Sequence, residues 1–99
     1  MAYEMLVGLN VTDDVQYQEY RRAMTPILES YGGNFGYDFK IAVVLISQTD
    51  EPINRVFTIR FPNEEKKDRF FSDPAYTEVK SEYFQRAVES TNIFAAYEI

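Results

Sequence analysis

Residues 3 to 11 alternate between Tyr3, Met5, Val7, Leu9 and Val11 on one side and Glu4, Leu6, Gly8 and Asn10 on the other. A two-residue period of this kind predicts a half-buried strand. Thr12, Asp13 and Asp14 then supply cap candidates and the negative charge that a helix start favours. From residue 15 to 31 the period lengthens, and Tyr17, Tyr20, Met24, Ile27, Leu28 and Tyr31 recur at helical spacing. Pro26 lies inside that run; it removes a backbone hydrogen bond and predicts a kink or a new segment after Thr25. Gly32 follows the last periodic residue, where a left-handed C-cap is favoured.

Alternation returns over residues 34 to 47. Phe35, Tyr37, Phe39, Ile41, Val43 and Leu45 share one face, and Asn34, Gly36, Asp38, Lys40, Ala42 and Val44 the other. The polar stretch from Ser47 to Asn54 reads as a loop leading to a third strand, 55–61, with Phe57, Ile59 and Phe61 inward. Asn63 caps a helix that Phe70 and Phe71 close. Ser72-Asp73-Pro74 restarts it, because Asp caps well and Pro suits the first helical position. Tyr76, Val79, Lys80, Tyr83, Phe84 and Ala87 form one side of the restarted helix. A final strand runs from about residue 92 to 98, with Ile93, Ala95, Tyr97 and Ile99 on one face. Strand, helix, strand, strand, helix pair, strand is the order of a ferredoxin-like split βαβ domain, an α+β fold whose four-stranded antiparallel sheet is covered by helices on one face. Residues 1–99 read as one such domain.

The uncovered face of that sheet would carry Leu6, Gly8, Asn10, Asp38, Lys40, Ala42, Val44, Thr58, Arg60, Phe94, Ala96 and Glu98. The mixture is too apolar for a solvated face and suits a wall closed by a second copy, a homodimer through the open sheet face. Its charges admit two readings. Asn10, Asp38 and Arg60 anchor a ligand in a pocket, or Asp38 and Arg60, on neighbouring strands, satisfy each other. The second is favoured, and Lys40 and Glu98, near strand ends, read as solvated.

Charge narrows the partners. Ten basic residues against sixteen acidic give a net of -6, which repels phosphate backbones and anionic membranes, so neither nucleic acid nor membrane is expected as a partner. The chain has no Cys and no His, which excludes disulfides, thiolate nucleophiles, Ser-His-Asp triads and imidazole metal sites. No cofactor and no metal is expected, and proton transfer would fall to Asp, Glu, Lys or Tyr. MAYEMLVGLNVTDD lacks a basic start and carries Glu4 in its apolar run, so it does not read as a signal peptide, and a cytoplasmic location is expected.

Three motifs invite chemistry. YGGNFGYDF, residues 31–39, has the glycines of a phosphate cradle, but they follow a helix C-terminus instead of preceding an N-terminus, so the anion reading fails. Gly36 opens a gap beside Asn34 and Asp38 where a ligand or partner backbone could come close. Tyr76 and Lys80 lie one turn apart, as a proton donor and its activating cation would, although packing of Tyr76 and Tyr83 with Lys80 snorkelling is the favoured reading. The charge run from Glu64 to Arg69 follows the helix dipole and reads as a solvated helix start.

Tyr31-Gly32-Gly33 after a Pro-containing helix, Ile59-Arg60-Phe61-Pro62 at a strand end, and Phe71-Ser72-Asp73-Pro74-Ala75-Tyr76 together resemble the thirteen-thirty domain-of-unknown-function family, small members of the dimeric α/β-barrel superfamily. The resemblance covers nearly the whole chain. It implies a ferredoxin-like protomer whose sheet packs against that of a second copy, enclosing a barrel, with a pocket between sheet and helices in each. The family itself has no settled activity, and the favoured reading of function is a homodimer that binds a small hydrophobic or aromatic metabolite, which needs no special acid or base and so fits the missing histidine. The alternative is a cofactor-independent monooxygenase or isomerase acting on an aromatic or lactone-like substrate, oriented by Asn10, Tyr31, Arg60 and Tyr76. Asn10, Tyr31, Asn34, Asp38, Arg60 and Tyr76 are therefore the candidate ligand-binding residues. Many members carry Arg on the second strand and Glu before the Phe-Pro of the third, where this chain has Asp38 and Arg60. The exchange alters what a pocket would attract. The missing histidine removes support for the superfamily's haem and metal branches.

Overall fold

In the computed structural model, which describes residues 1–99, β1 (Tyr3–Val11) and β3 (Arg55–Phe61) pair antiparallel without interruption, from Tyr3 opposite Phe61 to Leu9 opposite Arg55. The alternation of both strands therefore survives intact. Met5, Val7 and Leu9 turn to the same face as Phe57, Ile59 and Phe61, and all six are buried. β2 (Asn34–Lys40) flanks β3 and β4 (Val88–Glu98) flanks β1, giving an antiparallel sheet in the order β2-β3-β1-β4. The helices α1 (Asp14–Ser30), α2 (Glu64–Ser72) and α3 (Pro74–Val79) supply Tyr17, Tyr20, Met24, Leu28, Phe70 and Tyr76 to the core on that sheet face. This is the ferredoxin-like α+β arrangement.

Each helix starts where its side chains meet the orphan amides of a first turn. Asp13 accepts from the Gln16 N–H, Asn63 from the Lys66 N–H, and Asp73 from the Ala75 N–H just before Pro74. Pro26 starts no new segment, so of the two outcomes expected, a kink or a fresh start after Thr25, the second does not occur. Both Pro26 and Arg22, whose carbonyl loses its usual donor, are exposed, so water can take the place of the missing N–H. At the other end the Gly33 N–H donates to Leu28 O and the Gly32 N–H to Glu29 O, with Gly32 at φ 76°. Gly32→Ala should lower stability by about 1–2 kcal/mol, because a β-carbon is disfavoured in the left-handed region and would also lie 2.7 Å from Pro62 Cγ. Denaturant unfolding of the variant measures the loss, and an unchanged midpoint would show that this cap is dispensable.

Three boundaries differ from those the sequence predicts. β2 stops at Lys40, not at residue 47. The Ile41 N–H makes a last rung to Asn54 O (2.8 Å), and beyond it no strand lies alongside. Residues 41–54 form an irregular loop with Leu45 and Ile46 almost fully exposed. The helix after Asp73 passes through a π-helical turn (Lys80–Phe84) into the short α4 (Gln85–Ala87), and β4 begins at Val88 instead of near residue 92.

The edge strands also change phase. In β2 the register shifts between Phe35, opposite Ile59, and Asp38, opposite Phe57. Gly36 and Tyr37 together face Thr58, a bulge held by the Tyr37 N–H donating to Thr58 Oγ1 (2.8 Å). A β-carbon on Gly36 would come within 2.6 Å of that same oxygen, so the close approach requires glycine. In consequence Asp38 and Lys40 move to the helix side while Tyr37 and Phe39 stack on the open face, the reverse of the expected assignment. In β4, Phe94 is the extra residue between Ala95, opposite Leu6, and Ile93, opposite Val7. Ile93 therefore faces the helices and Ala95 and Tyr97 the open side, so the predicted shared face of Ile93, Ala95 and Tyr97 is split.

Candidate functional site

On α1, Tyr17, Tyr20, Arg21 and Met24 fall at spacings of three and four residues and share the face turned to the sheet. Opposite them stand Met5, Val7 and Leu9 of β1 and Phe57 and Ile59 of β3. Between these layers lies a cavity of about 420 Å³, closed at its sides by Phe71 of α2, Tyr76 of α3 and the π-helical turn through Lys80 and Phe84. Most of its wall is aliphatic or aromatic, so it favours an apolar guest.

Two polar features interrupt that wall. The hydroxyls of Tyr20 and Tyr76 hydrogen-bond to each other at 2.8 Å. Burial pushes the Tyr20 hydroxyl well above the ordinary tyrosine value, reinforced by the neighbouring Tyr76, and burial raises Tyr76 as well against the opposing effect of its bond to Tyr20. Both are neutral phenols near pH 7, suited to donate a hydrogen bond and not to take a proton.

The second feature is Arg21. Its Nε donates to the Tyr17 hydroxyl (2.8 Å), one terminal nitrogen donates to Asp38 (3.3 Å), and its guanidinium carbon lies 3.8 Å from the Phe35 ring centroid. Asp38 also takes a two-pronged contact from Arg55, at 2.7 and 2.8 Å. Partial burial alone would raise the Asp38 carboxyl, but the hydrogen bonds from Arg55 and the charges of both arginines outweigh it and hold the group below its usual range. Two guanidiniums thus share one carboxylate beside the cavity.

Residues 2–96 match the family described as a domain of unknown function, DUF1330. The chain belongs to the DUF1330 family. Among solved structures it is similar to a protein of unknown function from Rhodopseudomonas palustris at 22% identity, covering 99% of this chain and 82% of that one with a TM-score of 0.83. A ferredoxin-like dabb family protein from Mesorhizobium loti follows at 13% identity, 99% and 96% coverage and a TM-score of 0.68. An uncharacterized NIPSNAP domain protein from Burkholderia xenovorans shows 13% identity, 100% and 94% coverage and a TM-score of 0.66. These likenesses establish the fold. No curated protein matches the chain.

Of the six candidate residues read from the sequence, Tyr76 alone lines the cavity of this DUF1330 domain. Asn10 is buried and its side-chain oxygen accepts from Asn54 (3.3 Å), whose amide also brackets the Val11 backbone; the group fastens the end of the loop. Tyr31 donates to Asp73 (2.5 Å), joining the end of α1 to the α2–α3 corner. Asn34 sits exposed opposite Arg60 on the open face. Asp38 and Arg60 do not pair. The bulge carries Asp38 to the other side of the sheet, and Arg60, half exposed, has Glu4 at 3.8 Å instead.

Sequence reasoning singled out Tyr76 with Lys80 but missed Tyr20, Arg21 and Lys67 on the same cavity wall. A signal was present, since Arg21 is a cation set within the apolar stripe of α1. No three Asp or Glu side chains converge as a metal site would require. In the DUF1330 chain no helix is long and apolar enough to cross a membrane.

Proposed function

We propose that this DUF1330 protein is a homodimer in which each protomer binds a small hydrophobic or aromatic molecule in the cavity between sheet and helices. One observation carries the binding reading: 13 of the cavity's 17 lining residues are hydrophobic and few are polar, as in sites that orient an apolar guest by a few contacts. The dimer reading is supported by the open sheet face, where Tyr37, Phe39, Phe94 and Tyr97 are exposed aromatics. Beside them the loop lays Val43, Val44, Leu45 and Ile46 along a second apolar hollow of about 900 Å³ with Val56 and Phe94. A domain of this size buries too little surface alone to leave so much apolar area without use. Neutral tyrosines and the absence of a buried general base favour binding over proton-abstraction chemistry.

Light scattering should give twice the protomer mass of 11.6 kDa, and Phe94→Asp with Tyr37→Asp should halve it. A single-protomer mass for the unaltered protein at micromolar concentration would sink the dimer. Binding is read from the methionine methyls. Met5 and Met24 line the cavity while Met1 is exposed at the terminus, so it serves as an internal reference. Titrating 2-naphthol should shift the Met5 and Met24 resonances and leave Met1 still. No shift at either, across the solubility range of the probe, would refute the binding site.

A further inference from the structure

We propose that the cavity selects aromatic carboxylates, with the ring among the apolar walls and the carboxylate received by Arg21, Lys80 and the Tyr20–Tyr76 pair. This rests on the cavity being a binding site. Its new content is the charge of the ligand.

The first ground is the sign of the lining. The charged side chains that reach the cavity are Arg21, Lys67 and Lys80, and no Asp or Glu does, in a chain whose net charge is -6. Lys67 is committed to Asp68 at 2.7 Å. Lys80 makes no ion pair, its ammonium resting 5.8 Å from the Phe84 ring centroid. Asp38, the one carboxylate on Arg21, is divided between Arg21 and Arg55, which leaves the cluster with an excess positive charge. Apolar walls screen that charge less than bulk water would.

The second ground is a count of hydrogens. Two hydroxyls in one mutual bond hold two hydrogens and use one, and no other acceptor engages Tyr20 or Tyr76. One O–H is left to donate. One terminal nitrogen of Arg21 is likewise enclosed with no acceptor, a condition that native structures rarely leave uncompensated. The residues lining the cavity therefore hold spare donors and no ionised acceptor. An anion supplies what is missing, whereas an ammonium would meet like charges.

The test compares 1-naphthaleneacetate with 1-naphthaleneacetamide, which share a ring and differ in charge, by calorimetric titration at low ionic strength with the methionine methyls as position markers. The acetate should bind roughly tenfold more tightly, the scale of a hydrogen bond gaining a charged partner. Lys80→Met should shrink that ratio and Arg21→Met should shrink it further. Arg21 also packs against Phe35, so if its variant does not fold, Lys80→Met decides. Equal affinities with both probes shifting Met5 and Met24 would overturn the charge selection and leave the cavity reading standing. Failure of both probes to shift those methyls would refute the cavity as a site, and this inference with it. A preference for the acetate that survives both variants would place the anion elsewhere and overturn the assignment.

Discussion

Phe70→Ala is expected to cost about 3–5 kcal/mol, the usual range for emptying a buried phenylalanine site. Phe70 is fully buried, and its ring lies 4.4 Å from Tyr76, 5.0 Å from Phe71, 5.7 Å from Phe61 and 6.2 Å from Tyr31, centroid to centroid. Those four rings come from α3, α2, β3 and the end of α1, so collapse around the vacancy would have to move several elements at once. Partial relaxation is what makes a cavity expensive. Set against a total of about 5–15 kcal/mol for a domain, the loss is a large fraction. It should lower the melting temperature by on the order of 15–30 °C at this chain length. Phe71→Ala is the internal comparison. Its side chain is more than a third exposed, so it should lose much less. Comparable losses for the two would mean that Phe70 is not the centre of this cluster.

The second large effect is at Asp38. Asp38→Asn keeps the shape of the side chain but leaves Arg21 and Arg55, each about seven-eighths buried, facing one another with no anion between them. Removing one partner from a fully buried pair costs several kcal/mol. Asp38 itself is about one-third exposed, and solvent screening reduces the loss to about 2 kcal/mol. The dependence on pH has a definite sign. The folded-state pKa of Asp38 lies below its ordinary value of 3.8. Its contribution is therefore complete above that value and is lost as pH falls through the depressed one. Denaturant midpoints of the two proteins should differ at pH 7 and converge in strong acid. A gap that stays constant down to the acid transition would show that the carboxylate charge is not what stabilises this corner.

The parts of the fold that were legible in the sequence are those with an unbroken period. β1 and β3 pair without a shift, so alternation alone placed Met5, Val7, Leu9, Phe57, Ile59 and Phe61 correctly. The helix caps were legible because Asp13, Asn63 and Asp73 act on amides only two or three residues away. β2 was not, because its phase is decided by a long-range partner: the Thr58 hydroxyl holds the Tyr37 amide and so turns Asp38 over. Ile41 to Ile46 looked like strand because an apolar run is compatible with a buried one. What it lacks is a neighbour, since Lys40 already faces Arg55 at the start of β3. The cavity was expected from the family resemblance alone, and the spacing of the residues did not show it. Aromatic residues at helical spacing read as filled core, and nothing in the spacing of Tyr17, Tyr20 and Met24 says that the space before them is left open.

The order β2-β3-β1-β4 leaves β2 and β4 as the rims of the sheet, and both of them are bulged, at Gly36–Tyr37 and at Phe94. A strand arriving from another molecule needs an evenly spaced comb of amides and carbonyls to dock on, and a bulge breaks its teeth. A chain with so many uncovered aromatic and aliphatic side chains on one flat surface is thereby discouraged from growing sideways into fibrils. In the dimer proposed above, stacking through that surface would end at two copies, whereas rim-to-rim pairing has no natural end.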